Sequence, residues 1–290
     1  MENYVILIVY NIHMNKKIIY IVIEALLVLT LIHINATIIN PKQLNIRQET
    51  LSSQKINEDL DGFLIAYFSD VNYGKFYDSV QLNKLVETIN SYYPDVVLFS
   101  GDLLDEIETP MSKENREQLE IDLKSIKAKY GKYAVLGDED ELSKDKVVNL
   151  LESAGFIVLN NEIKTITVSQ NASIQIAGLE NVKNSTPDTS ILSSLNGSYY
   201  TIAMSHTPDL FNDVRNYNVD YMLAGHSRGG QIYVPIINLL YRDVGCRYYY
   251  HGKTTRNNTT LDITNGLGQN KYNARLFADP ELVFYKLNAK

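Results

Sequence analysis

From Phe63 onward the chain alternates short continuous apolar runs with stretches whose apolar residues recur at helical spacing. The runs FLIAYFS (63–69), DVVLFSGD (95–102) and KYAVLG (132–137) have the length and composition of buried strands. Between them, Leu82, Leu85, Val86 and Ile89 predict a helix over Ser79 to Tyr93, stopped by Pro94. A charged helix is predicted from Lys113 to Lys129, and a third from Lys144 to Ser153, closed by Gly155. The first half therefore reads β-α-β-α-β-α. FIVLNN (156–161), IKTITVS (163–169) and SIQIAGL (173–179) follow closely, joined by turn residues, and predict that the second half opens with strand pairing. YYTIAMSH (199–206) and VDYMLAGH (219–226) then repeat the theme of a strand ending in a polar residue. No fixed-period repeat interrupts this order, so one layered α/β domain over residues 62–290 accounts for it.

The segment 18–34, IIYIVIEALLVLTLIHI, is apolar over about the length of a bilayer crossing, broken only by Glu24, Thr30 and His33. Lys16 and Lys17 precede it, and the next basic residue beyond His33 is Lys42. That bias puts a cytoplasmic segment at 1–17, a transmembrane helix or uncleaved signal anchor at 18–39, and the domain on the extracytoplasmic side of the cell membrane. A cleaved secretory signal and a buried core helix are the competing readings, and Glu24 near mid-span counts against the anchor. Met14-Asn-Lys-Lys reads as an alternative start, which would make 1–13 an extension. Residues 40–61 are polar without apolar periodicity and predict a linker holding the domain off the surface. Leu239, Leu240 and Tyr241 fit either a core or a lipid-facing patch.

Composition narrows the picture only a little. With 45% hydrophobic and 21% charged residues in 290, most of the chain is expected to fold. A net charge of -7 offers no general attraction for a phosphate backbone, so no nucleic acid is expected as a partner. Cys246 is the only cysteine, which rules out an intramolecular disulfide.

Five of the predicted strands end abruptly in a residue able to bind a metal: Asp70, Asp102, Asp138, His206 and His226. The carboxyl ends of strands are where ligands gather in open α/β sheets. Any one Asp there is explained as a turn former or helix cap, but five such ends in order are not. The blocks Asp70-Val71-Asn72, Gly101-Asp102-Leu103-Leu104-Asp105, Gly137-Asp138-Glu139-Asp140, Ser205-His206 and Gly225-His226-Ser227-Arg228-Gly229-Gly230-Gln231 resemble the calcineurin-like metallophosphoesterases. Within that family they resemble in particular the membrane-associated bacterial branch similar to phosphodiesterases acting on lipid-linked pyrophosphates. Asn265-Gly266-Leu267-Gly268 and Asp279-Pro280-Glu281-Leu282 resemble that branch's closing strands. The resemblance covers residues 62–290 and implies a sandwich of two mixed β-sheets flanked by helices.

The departures fall on working positions. In the family the first metal is held by Asp and His of the first block, the bridging Asp of the second and the last His of the fifth. Here Asp70 and Asp102 remain, while Asn72 and Arg228 replace the imidazoles. A guanidinium has no lone pair to give, so the first metal is expected to be lost. Arg228 either occupies that space, pairing with Asp70 and Asp102, or points to solvent. The resemblance assigns the second metal to Asp102, Asp138, His206 and His226, a set suited to one divalent ion of Mn, Fe or Zn. His206 also fits a hydrogen-bonded core histidine. Glu139 stands where the family has a proton-donating His; it is a candidate acid, with an exposed loop carboxylate as the competing reading.

Three functional readings follow from the resemblance. The first is a degenerate site binding one metal and a phosphorylated small molecule or lipid-linked phosphate, with low or no hydrolysis. The second is an active phosphoester or pyrophosphate hydrolase using one metal plus Arg228. The third is a metal-free interaction module.

Overall fold

The computed structural model describes residues 2–105, 111–233 and 243–290, with backbone alone for 2–15. Leu239, Leu240 and Tyr241 lie outside the described residues.

The predicted strands and helices form, and their alternation builds two six-stranded mixed sheets. The first contains β1 (Asn45–Ser53), β2 (Leu64–Phe68), β3 (Val96–Phe99), β4 (Lys132–Ala134), β5 (Phe156–Val158) and β12 (Glu281–Ala289), in the order β1-β12-β2-β3-β4-β5. The second contains β6 (Glu162–Ser169), β7 (Ala172–Gly178), β8 (Tyr200–Met204), β9 (Tyr221–Ala224), β10 (Gly252–Arg256) and β11 (Thr259–Ile263), in the order β10-β11-β9-β8-β7-β6. Strands β2 to β5 run parallel, as do β7, β8, β9 and β11. The strand pairing expected at the midpoint divides: β5 adds to β4, whereas β6 and β7 form a hairpin in the other sheet.

Alternation along each strand decides the layers, because successive side chains point to opposite faces. Ile65 and Tyr67 of β2 join Leu98, Ile174, Ile202, Leu223 and Tyr285 between the sheets. Ala66 and Phe68 face the other way, onto α2 (Ser79–Ser91), α3 (Lys113–Lys124) and α4 (Lys144–Ser153), where they meet Leu82, Leu85, Leu119, Leu123, Val147 and Leu151. Helix α2 starts at a capping box in which Asp78 accepts from the backbone of Val80 and Gln81 while Gln81 reaches back to Asp78 N. Helix α3 stops at Ser125, short of the predicted Lys129, because Lys127 N turns away to donate to Asn90 Oδ1.

One expectation for the amino-terminal region needs correction. Residues 40–61 are not a linker: Asn45–Ser53 pairs in parallel along all of β12 and closes the edge of the first sheet. Its polarity misled the reading because an edge strand of this kind buries little; of the nine residues only Leu51 is buried. Arg47 fastens it, holding Asp262 of the opposite sheet through two hydrogen bonds of 2.9 and 3.0 Å and reaching Glu281 at 3.2 Å. Upstream, α1 runs over Glu2–Ile34, so the cytoplasmic segment and the span read from the sequence share one helix. Its apolar part is long enough to cross a membrane and, among the described residues, is not covered by the domain, which sets aside the buried core helix.

Candidate functional site

The parallel strands bring their carboxyl ends to one edge of the sandwich. Asp70 follows β2, Asp102 follows β3, Asp138 follows β4, His206 follows β8 and His226 follows β9. All are at most 4% exposed. The glycines that precede three of them are required by space: a Cβ on Gly137 would overlap Asp102 Oδ1, and one on Gly225 would overlap Ser69 Oγ and Asp70 Oδ2. Asp70, Asn72, Asp102, His226 and Arg228 all take positive φ, between 43° and 66°. Such left-handed backbone is costly away from glycine and concentrates where surrounding structure holds it in place for a site.

Asp102, Asp138, His206 and His226 each offer one ligand atom, and these atoms lie within 4.8 Å of one another. The outer ring nitrogens settle which atoms face inward. His206 Nδ1 lies 2.6 Å from Ser100 O and His226 Nε2 lies 2.9 Å from Val244 O. A carbonyl only accepts, so these nitrogens carry hydrogen, and in the neutral rings the lone pairs of His206 Nε2 and His226 Nδ1 point into the cluster. There they meet Asp138 Oδ1 at 3.3 and 2.8 Å, and these three buried atoms have no hydrogen-bond partner unless the rings are protonated. Lone pairs converging without a donor call for a positive charge, and the donor set fits a divalent metal ion. The same demand appears in the titration. Burial pulls His226 down, but hydrogen bonding to Asp138 and Cys246, together with the charge of Asp138, outweighs it and pushes the ring up to about 9.

On the other side of Asp102 lies Arg228. Its Nη2 donates to Asp102 Oδ2 at 2.8 Å and to Glu139 Oε1 at 3.3 Å, its Nε donates to Asn72 Oδ1 at 3.0 Å, and Asp70 Oδ1 lies 3.6 Å from Nε. Of the two placements open in the sequence, the guanidinium takes the inward one, paired with Asp102 beside Asp70, and the residue is only 9% exposed. Asp70 also fixes the neighbouring turn, accepting from His226 N at 3.0 Å.

Glu139 is not an exposed loop carboxylate. Its side chain is 10% exposed, and it accepts from Arg228, from Asn72 Nδ2 at 2.9 Å and from Asn270 Nδ2. Burial raises its carboxyl, the charge of Asp102 adds to the rise and Arg228 opposes it, leaving it pushed up to about 8. The loop reading failed because the sequence gives no hint that Asn270, 131 residues away, closes over it.

Other participants had no assigned role beforehand. Lys183, in the loop after β7, is 2.7 Å from Asp138 Oδ2 and 2.8 Å from Asp243 Oδ2. Asp140, the last residue of the third block, accepts from the backbone of Asp102, Leu103 and Gly137 at 2.8 to 2.9 Å and so ties two ligand-bearing loops together. Arg275 is completely buried and donates to the carbonyls of Arg228, Asn265, Gly268 and Ala278. Asp140 alone carried a signal, its place beside Asp138. Above the cluster opens a cavity of about 280 Å³ lined by Asp138, Glu139, Lys183, His226, Arg228 and Asn270.

Residues 63–228 match the model of the calcineurin-like phosphoesterase family. The metallophosphoesterase YkuE of Bacillus subtilis is 27% identical over 257 residues, spanning 88% of this chain and 89% of its own. Phosphodiesterase YaeI of Escherichia coli is 25% identical, over 78% of this chain and 82% of its own. UDP-2,3-diacylglucosamine pyrophosphatase LpxG of Chlamydia trachomatis is 24% identical, over 68% and 73% respectively.

Proposed function

The chain belongs to the calcineurin-like phosphoesterase family, and from that premise we propose a membrane-anchored protein that holds one divalent ion and an arginine where the family holds two metals. It binds a phosphorylated or lipid-linked ligand and turns it over slowly or not at all. The observation that carries this reading is the division at Asp102 Oδ2. Arg228 Nη2 meets it at 2.8 Å and His206 Nε2 meets it at 3.2 Å. One carboxylate oxygen is thus shared between the arginine and the four-donor cluster.

In this reading Asp102, Asp138, His206 and His226 hold one ion of Mn, Fe or Zn, which supplies polarisation of a phosphoryl oxygen when bound. Asp70 serves Arg228 and the His226 turn rather than a metal. Arg228 is the fixed cation that keeps Asp70, Asp102 and Glu139 compensated. That duty limits its catalytic use: Nε and both Nη2 hydrogens already have acceptors, and Nη1 lies 3.5 Å from His226 O. Little of the guanidinium is left for transition-state charge, which favours slow turnover over the arginine-assisted hydrolase. Glu139 is a candidate proton donor by its raised carboxyl at the cavity wall, although Arg228, Asn72 and Asn270 already donate to it. The pyrophosphatase and phosphodiesterase activities in the relatives' names support a phosphoester ligand, helix α1 supports a lipid-linked one, and Lys16 and Lys17 ahead of the apolar stretch favour the extracytoplasmic face of the cell membrane.

The test combines metal analysis with hydrolysis of an aryl phosphodiester by the purified full chain and by the N72H/R228H double variant. One ion per wild-type chain, a second ion in the variant and faster hydrolysis there are the expected results. Rapid hydrolysis by the wild type would transfer the case to the arginine-assisted hydrolase. Absence of any bound ion would leave the interaction module.

A further inference from the structure

The stretch from Gly268 to Ala278 touches two distant parts of the molecule at once. Inward, Asn270 and Lys271 border the cavity over Arg228, Tyr272 borders an adjoining hollow that shares His226, Arg228, Asn270 and Lys271 with it, and Asn270 binds Glu139. Outward, Arg275 N donates to Ala36 O at 2.8 Å, Asn40 Nδ2 donates to Arg275 O at 3.3 Å and Gln269 Nε2 donates to Pro41 O at 3.3 Å. Ala36, Asn40 and Pro41 are buried, so the end of the apolar helix is embedded in the domain rather than tethered to it. With the Arg275 guanidinium holding four carbonyls of the surrounding loops, this stretch is fixed in place relative to the helix end.

The level of that contact along the helix is informative. A hydrocarbon core about 30 Å thick takes about 20 helical residues, so a span starting after Lys17 reaches the far surface near Ile38. The residues gripped by the domain, Ala36, Asn40 and Pro41, lie at that level. Tyr272 and Phe277 are three and two residues from Arg275, which keeps both within about 11 Å of it along the chain. They are 69% and 63% exposed, and Ile38 and Ile39 of the helix end are 57% and 43% exposed. An exposed Tyr272 beside the end of a span matches the preference of Tyr for the headgroup region, where an apolar body and a polar tip are both accommodated, and the exposed ring of Phe277 adds apolar surface next to it.

We propose that residues 270–277 form a bilayer-interface element: Tyr272 and Phe277 enter the headgroup region and hold the mouth of the cavity at the membrane surface. The phosphoryl group of a lipid then reaches the cavity without the lipid leaving the bilayer. This rests on the reading of α1 as a retained anchor, and it turns a general membrane association into a fixed orientation.

The chain contains no tryptophan, so single substitutions report cleanly. The full-length variants Tyr272→Trp and Phe277→Trp, with Tyr93→Trp as reference, are reconstituted into vesicles of phosphatidylcholine and phosphatidylglycerol. In a parallel set the phosphatidylcholine is brominated in its acyl chains. Tyr93 lies past the end of α2, whose first turn contacts Pro41 through Gln81 Nε2 at 3.1 Å, so the helix carries it about 18 Å along from the gripped end. Loss of emission in the brominated vesicles is expected for Tyr272→Trp and Phe277→Trp and not for Tyr93→Trp. Proteins that stay in the vesicles through a carbonate wash but show no loss at either position overturn this inference alone. Equal loss at all three positions also overturns it, since the domain would then lie flat. Release by the wash overturns the anchor and this inference together.

Discussion

At the scale of single residues, the site turns on one guanidinium set among buried carboxylates. Asp70 and Asp102 are fully buried, and Arg228 is the cation that lies between them and Glu139. Removing one partner of such a group leaves the others uncompensated, which is far more damaging than the net worth of the pair suggests. Arg228→Ala is therefore expected to lower the stability of metal-free protein by about 3 kcal/mol, read from urea unfolding. Added divalent ions should recover part of the loss, because an ion can stand where the guanidinium stood. Unchanged stability in the variant would remove the compensating role. The residue types at this site were legible in the sequence, down to the absence of lone pairs on Arg228. Its direction was not, since the sequence left an inward and an outward placement equally open. Burial among carboxylates decided it, a property of five loops brought together.

At the scale of elements, two side chains do work that their own strands do not reveal. Arg47 of β1 crosses to Asp262 in the other sheet, and Tyr221 and Tyr285 donate to the same carboxylate at 3.1 and 2.8 Å. Arg47→Ala should cost about 2 kcal/mol by leaving Asp262 short of its charge partner, and hydrogen exchange should rise first in β1. Equal protection of β1 in both proteins would refute that role. Lys132 of β4 sends its ammonium to Leu123 O and Ala154 O, at the ends of α3 and α4. Burial, with Lys124 nearby, lowers its pKa from 10.5 to about 8. Between those values the unfolded chain holds the proton and the folded one releases it, so this group makes stability rise with pH across the interval. Lys132→Met should flatten that rise relative to wild type when both are unfolded in urea from about pH 8 to 10.5. A parallel pair of profiles would contradict it. Helix α2 and the strands β2, β3, β8 and β9 were plain in the sequence because their apolar spacing is strong. Strand β1 was hidden because the edge it covers leaves eight of its nine residues unburied or half-buried.

At the scale of the whole molecule, the amino-terminal helix and the cavity share one loop. A chain beginning at Asn45 lacks the partners of Arg275 N and Gln269 Nε2 at Ala36 and Pro41. Its two sheets should persist, while amide exchange over 268–276 quickens relative to the full chain; unchanged exchange there would show that the helix end does not steady the loop. The sequence by itself determined the layered α/β order, the polar residues at the strand ends and the family, since strand periodicity and the order of polar ends are local properties that survive in one dimension. The tertiary structure alone decided that β1 belongs to the domain, that Arg228 and Glu139 are buried against each other, and that Lys183, Asn270 and Arg275 complete the site. Each of these depends on contacts between segments tens to hundreds of residues apart, where burial and charge compensation, not local pattern, select the partner.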